Sequence, residues 1–239
     1  MTDQTIDQPA SGTARAALAQ LRPQQFGEGN PARVSDPLVE PLWAGVRVLA
    51  AVDLDEAAMI DQVGHPIDDH PAIAAALAMA SLAERLVVDG YLTKMTVRDQ
   101  AGVFVPMDDL PSSTQLMARP LLGIRRTRAE DVTKELEAAR IARTFGPDDV
   151  VSFVAVDLLW LDGEPLLDVP LLERRRLLES ALAESELIRR GVFVRPPLEA
   201  WLGSWRALGF TGISLKSANS RYQPGGVSDD WASAPMPRR

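Results

Sequence analysis

The stretch that decides the reading is Glu40-Pro41-Leu42-Trp43-Ala44-Gly45-Val46-Arg47. It runs directly into Val48-Leu49-Ala50-Ala51-Val52, and Val46 to Asp53 reads as a buried strand because its apolar residues are continuous. Leu42 stands in the middle of this stretch. Its side chain has no lone pair, so it cannot be a nucleophile whatever surrounds it.

The 239 residues suffice for one sizeable domain, and 46% of them are hydrophobic, ordinary for a globular core. No apolar run is long enough to span a bilayer, and the polar start from Met1 to Ser11 has no secretory pattern, so a cytoplasmic location without membrane contact is expected. There are no cysteines, which excludes disulfides, thiolate metal sites and cysteine nucleophiles. The formal net charge is −8, which opposes stand-alone binding to phosphate backbones; DNA is expected to bind weakly at most. The only lysines are Lys94, Lys134 and Lys216, so any side-chain amine nucleophile comes from that short set.

In chain order, residues 1–33 read as a mostly disordered tail with a short helix over Thr13 to Leu21. Asp36-Pro37 reads as a break. Pro71 to Leu86 has an alanine-rich apolar face and predicts a helix. Tyr91 to Arg98 and Val103 to Pro106 predict a hairpin. Met107 to Gly123 is irregular, Arg128 to Phe145 reads as a helix stopped by Gly146-Pro147, and residues 107–149 look like an insertion. Val150 to Leu161 is the most hydrophobic strand, Pro170 to Glu179 an amphipathic helix, Gly191 to Val194 a short strand, and Leu198 to Leu208 a helix. Residues 233–239 read as a frayed end.

A series of stretches, in this order, resembles the adenylation domain of bacterial ATP-dependent DNA ligases. Glu40 to Arg47 is similar to E-x-K-x-D-G-x-R, and Asp89-Gly90-Tyr91 to D-G-E. Val156-Asp157-Leu158-Leu159-Trp160-Leu161-Asp162-Gly163 resembles F-D-L-L-x-L-D-G, and Pro170 to Glu179 resembles P-L-x-E-R-R-x-L-L-E. Thr211 to Lys216, Ser220 to Gly225 and Trp231 resemble E-G-[VI]-V-x-K, S-x-Y-x-P-G and the start of W-x-K-x-K. The resemblance implies an α+β fold of the DNA-ligase and mRNA-capping-enzyme type: two antiparallel sheets flanked by helices, a nucleotide cleft between them, over residues 34–232. The sequence as given ends after the last motif, so no OB-fold domain is expected.

The resemblance also assigns roles that this chain has altered. Leu42 stands where the family's lysine attacks ATP, Ala44 where an aspartate stands, and Gln62 where an arginine reads a phosphate. Tyr91 and Thr211 replace glutamates that serve the ribose or the metal. Val156 replaces the phenylalanine that stacks on adenine, and Ser233 and Pro235 replace phosphate-binding lysines. That chemistry needs an amine at the α-phosphate, a metal to screen charge and cations on the developing charge. Glu40, Gly45, Arg47, Tyr91, Val156 and Lys216 remain as the residues of a vestigial nucleotide cleft. No catalytic residue and no metal ligand is expected. No cofactor is required; ATP or AMP is possible, and magnesium is not expected.

The implied function is a non-catalytic relative of DNA ligases, a binding or regulatory module linked to DNA repair, with a repair protein or an active ligase as partner. Two alternatives stand beside it: a sensor holding ATP or AMP through Glu40, Arg47 and Lys216, and a nucleotidyltransferase whose nucleophile has moved to Lys94 or Lys216. Arg47 and Lys216 either hold a phosphate or pair with carboxylates such as Glu40. Tyr91 and Trp43 either stack on a base or are buried in a filled cleft. His65 and His70, near Asp61, Asp68 and Asp69, read as a solvated turn rather than a metal site. Arg174 to Arg176 reads as structural, and Arg125 to Arg128 as the better contact for DNA or protein.

Overall fold

A computed structural model describes residues 12–94, 145 and 150–237. The hairpin arm beyond Lys94, the helix read from Arg128, Arg125 to Arg128 and nearly all of the 107–149 insertion lie outside the described residues.

The strand read from Val46 to Asp53 has those bounds (β3) and lies inside a six-stranded sheet. It pairs antiparallel with Glu56–Ile60 (β4) on one side and Arg85–Thr93 (β5) on the other. Ser152–Leu161 (β6) follows β5, also antiparallel; the short strands Glu164–Pro165 (β7) and Ile188–Arg190 (β8) both pair with β6, the latter in parallel. Both faces of this sheet are covered, which is why β3 carries an unbroken apolar run from Val48 to Val52. Val48, Ala50 and Val52 join one core with Leu77 and Leu178, from the helices Pro71–Ala80 (α2) and Leu171–Ala181 (α3). Leu49 and Ala51 point the other way, into a core with Leu18, Phe26 and Trp231.

That second core corrects the tail reading for residues 12–33, the part of that stretch that is described. The helix is present, as Ala14–Gln20 (α1), but it is packed against β3. The Asp53 carboxylate accepts from the backbone N–H groups of Ala14 at 2.8 Å and Arg15 at 2.9 Å, capping the helix from across the fold. Gln25–Phe26 (β1) pairs in parallel with Val227–Ser228 (β10), a third small sheet.

A three-stranded antiparallel sheet completes the fold, with Gly212–Ser217 (β9) between Pro37–Pro41 (β2) and Trp231–Pro235 (β11). Pro37 therefore opens a strand rather than only breaking one. It does so at a sheet edge, where a missing N–H is tolerated. Ser233 and Pro235 belong to β11, so the frayed end begins later than residue 233. Glu199–Ala207 (α4) lies close to its expected range. The strand expected over Gly191 to Val194 is shifted to β8, leaving Val194 in a single bridge to Val39.

Helix α2 ends six residues before the expected Leu86. Alanine-rich propensity would carry it on, but Arg85 and Leu86 are taken by the pairings Asp53↔Arg85 and Val52↔Leu86. No helix among the described residues is long and apolar enough to cross a membrane.

Candidate functional site

Two glycines fix how the deciding stretch meets the sheet. Gly45 has φ of +130°, and a Cβ there would lie 2.0 Å from the Leu92 carbonyl oxygen. A Cβ on Gly90 would lie 2.4 Å from Phe153 Cζ and 2.5 Å from the Val154 oxygen. The backbones of the turn before β3, of β5 and of β6 thus approach one another as no larger residue allows.

Arg47 projects from β3 and is 2% exposed. Its Nε and one Nη donate to the two Asp89 oxygens at 3.0 and 2.7 Å, and the other Nη donates to the Gln24 carbonyl at 2.5 Å. Three rings surround it: Phe26, Tyr91 and Trp231 have centroids 5.8–5.9 Å from its guanidinium carbon. Burial acts to lower the Arg47 pKa. The charge of Asp89, with smaller contributions from Tyr91 and Tyr222, outweighs burial and holds it well above its ordinary value.

Tyr222 completes this unit. Its hydroxyl donates to Asp89 at 2.7 Å and accepts from the Gln24 N–H at 3.0 Å. Burial pushes the phenol well above its ordinary range; Asp89 pushes the same way and Arg47 opposes. The sign of the resulting pH dependence follows. An unfolded tyrosine ionises near pH ~10, whereas folded Tyr222 keeps its proton well beyond that, so stability falls as pH rises above about 10. Tyr222→Phe should flatten that fall, which for one proton is at most about 1.4 kcal/mol per pH unit. At neutral pH it should cost about 1–3 kcal/mol, because the Gln24 N–H is left buried without its acceptor. Urea unfolding at pH 8 and at pH 10.5 measures both.

Lys216, on β9, faces Glu40 on β2. Its Nζ lies 2.8 Å from Glu40 Oε2 and 4.6 Å from the Trp231 ring centroid, and both charged side chains are 2% exposed. The other Glu40 oxygen is 3.7 Å from Arg175. Arg175 also donates to the carbonyls of Val156, at 2.5 Å, and Gly191. Beside it, Arg174 makes a two-pronged pair with Asp157 at 2.8 and 2.7 Å. Burial would lower the Arg174 pKa, but Asp157 reverses this and raises it. Arg174 and Arg175 are therefore structural, as read. Arg176 is exposed and pairs with Glu173 at 2.6 Å.

Among the described residues the buried charged side chains are Glu40, Asp89 and Asp157 against Arg47, Arg174, Arg175 and Lys216. The two cations read as phosphate ligands or carboxylate partners are both paired with carboxylates. Sequence reasoning suggested Glu40 as the type of partner but did not find Asp89 for Arg47, nor the roles of Arg175, Tyr222 and Gln24. These partners lie up to 198 residues apart, and no spacing rule connects them.

The rest of the expected cleft is packed with largely apolar and aromatic side chains. Val156 sits where the β5–β6 register slips by one residue, so it has no partner across the ladder, and it is fully buried. With Tyr91, Trp43, Ala44, Trp205, Phe210 and Ile213 it forms a continuous core cluster, in which the Trp43 and Phe210 rings meet edge-on at 5.1 Å. Leu42 is partly buried against the second core and accompanies Gly212: a Cβ there would lie 2.9 Å from Leu42 Cδ2. Its N–H donates to the Gly212 carbonyl at 2.9 Å. Thr211 is exposed, and Lys94 lies just beyond β5. In the turn before α2, one Asp61 oxygen accepts from the N–H groups of Val63, Gly64 and His65.

Comparison with known proteins agrees with this architecture. The family model for the ATP dependent DNA ligase domain matches residues 32–233. The multifunctional non-homologous end joining DNA repair protein LigD of Mycobacterium tuberculosis (strain H37Rv) is 28% identical over 192 residues, covering 80% of this chain and 20% of that protein. A DNA ligase of Thermococcus fumicolans is 39% identical over 79 residues, covering 31% of this chain and 14% of the relative. The chain thus spans a fifth or less of the length of these relatives. Among solved structures, the ligase domain of M. tuberculosis LigD superposes with a TM-score of 0.59 at 25% identity, covering 90% of this chain and 59% of that one. A mycobacterial DNA ligase D complexed with ATP and MES gives 0.58 at 25% identity, covering 90% and 60%. With the family model spanning most of its length, the chain belongs to the ATP-dependent DNA ligase domain family.

Proposed function

We propose that this chain is a non-catalytic adenylation-type domain, a binding or regulatory module linked to DNA repair. One observation carries the reading: Leu42 occupies the position of the attacking amine and is packed between Gly212 and the second core. The losses around it support the same conclusion. Lys216 is engaged with Glu40 and Arg47 with Asp89, so neither offers an uncommitted charge to a phosphate. Tyr91 and Val156 fill with carbon the places where the family pattern has a carboxylate and a stacking ring. These residues do not fit a nucleotide held for transfer. The link to repair rests on the relatives named as end-joining repair proteins.

Incubation with ATP and magnesium should leave the intact mass of the protein unchanged. A gain of one adenylyl group would overturn the reading. If such an adduct formed, Lys94→Ala and Lys216→Ala would tell whether either lysine had taken over.

A further inference from the structure

Helix α2 carries no charged or polar side chain along its ten residues, Pro71-Ala-Ile-Ala-Ala-Ala-Leu-Ala-Met-Ala80. Ile73, Leu77 and Ala80 are buried, which accounts for one face. The opposite face is also apolar and faces water: Ala72 and Ala75 are exposed, Met79 is 87% exposed, and Leu82 just past the helix is 66% exposed. A surface helix normally turns polar residues outward, and an apolar outer face marks a contact. Beside the first turn of the helix lies a groove of about 550 Å³ whose lining includes Arg15, Leu18, Met59, Ile67, Pro71 and Ala74. Charge identifies the occupant. Exposed Asp68 and Asp69 precede the helix, exposed Glu84 follows it, and the whole chain carries −8. An antiparallel second copy would set these acids against each other.

We infer that the outer face of α2 is a docking site for an amphipathic helix of a protein partner, apolar along one face and basic at both ends. Such a helix lays its apolar residues along Ala72, Ala75 and Met79 and its lysines or arginines near Asp68, Asp69 and Glu84. The inference rests on the module reading for its biological sense but not on the closed cleft. The mass assay tests the cleft, and the experiment below tests the face.

The probe is a fluorescein-labelled synthetic helix with leucine at i, i+4, i+7 and i+11 and lysine at each end. Its control carries glutamate in place of lysine. The full chain should bind the basic helix at least about tenfold more tightly than the acidic one, as charge complementarity requires. Met79→Glu should weaken binding at least about tenfold, since it places a charge in the apolar contact, while the melting temperature stays unchanged. Equal binding of both helices, no binding, or a Met79→Glu variant that binds normally would overturn the proposal. So would sedimentation as a dimer that Met79→Glu dissolves, which assigns the face to a second copy, or Met79-dependent binding to neutral lipid vesicles.

Discussion

Asp89→Ala should lower the unfolding free energy by about 3–5 kcal/mol, the loss expected when one partner of a buried ion pair is removed. Asp89 is fully buried and accepts three hydrogen bonds, two from Arg47 and one from Tyr222. Without it the Arg47 guanidinium stays in the core among three aromatic rings, with the Gln24 carbonyl as its remaining acceptor among the described residues. Cation–π attraction of about 0.5–2 kcal/mol per ring partly offsets this and does not replace a carboxylate. Against a total stability of about 5–15 kcal/mol, this is a large fraction of what holds the fold together. Urea midpoints with an unchanged slope give the number. A second variant separates charge from volume. If the loss comes from the unpaired cation, Asp89→Leu combined with Arg47→Met should recover most of it, because replacing both partners with hydrocarbon is often neutral. A loss below about 1 kcal/mol for Asp89→Ala would contradict the pairing.

How much of this was legible in the sequence depended on how local each cause is. The strand Val46 to Asp53 is legible with its true ends because burial on both faces writes an unbroken apolar run from Val48 to Val52, and Asp53 and Glu56 bound the turn into β4. Helix α3 was legible for a similar reason: its periodicity sits within eleven residues. The end of α2 was not. Nothing in Ala83-Glu84-Arg85-Leu86 forbids helix, and only the pairing with β3 pulls Leu86 into a strand. The burial of residues 14–26 was missed for a different reason. Ala14, Leu18 and Leu21 do lie at helical spacing behind Thr13, which does cap the helix, so a signal existed. It was outweighed by the polar composition around it. At the site, the identities of Glu40, Arg47 and Lys216 are legible through the family pattern, but their partners are not, because a salt bridge between neighbouring strands that lie far apart in the chain leaves no mark on spacing.

Glu40→Ala is the variant that separates a structural core from a ligand site. Among the described residues Glu40 is the carboxylate partner of two buried cations, at 2.8 Å from Lys216 and 3.7 Å from Arg175. Removing it leaves four buried cations facing two buried carboxylates among the described residues. Arg175 retains the Val156 and Gly191 carbonyls, which accept from two of its N–H groups but do not balance its charge. Lys216 retains the Trp231 ring, whose centroid lies 4.6 Å from its Nζ. The expected loss is at least about 3–5 kcal/mol, equal to or larger than that of Asp89→Ala. Glu40→Ala with Lys216→Met should recover part of it, since the ammonium with the weaker remaining contacts is then gone while its stem volume is kept. Glu40→Gln should fall between, because the amide keeps a hydrogen-bond acceptor for the Ser214 hydroxyl, which lies 3.4 Å from Glu40, but supplies no charge. A nucleotide-binding role gives the opposite pattern. A glutamate kept for a ligand can be lost with little change in the melting of the free protein, and ATP would stabilise wild type more than the variant through mass action. Thermal melts of Glu40→Ala with and without millimolar ATP therefore decide between the two. A large loss that ATP leaves untouched means that the carboxylate of the old attachment motif now holds β2 to β9 and the Arg175 corner of α3.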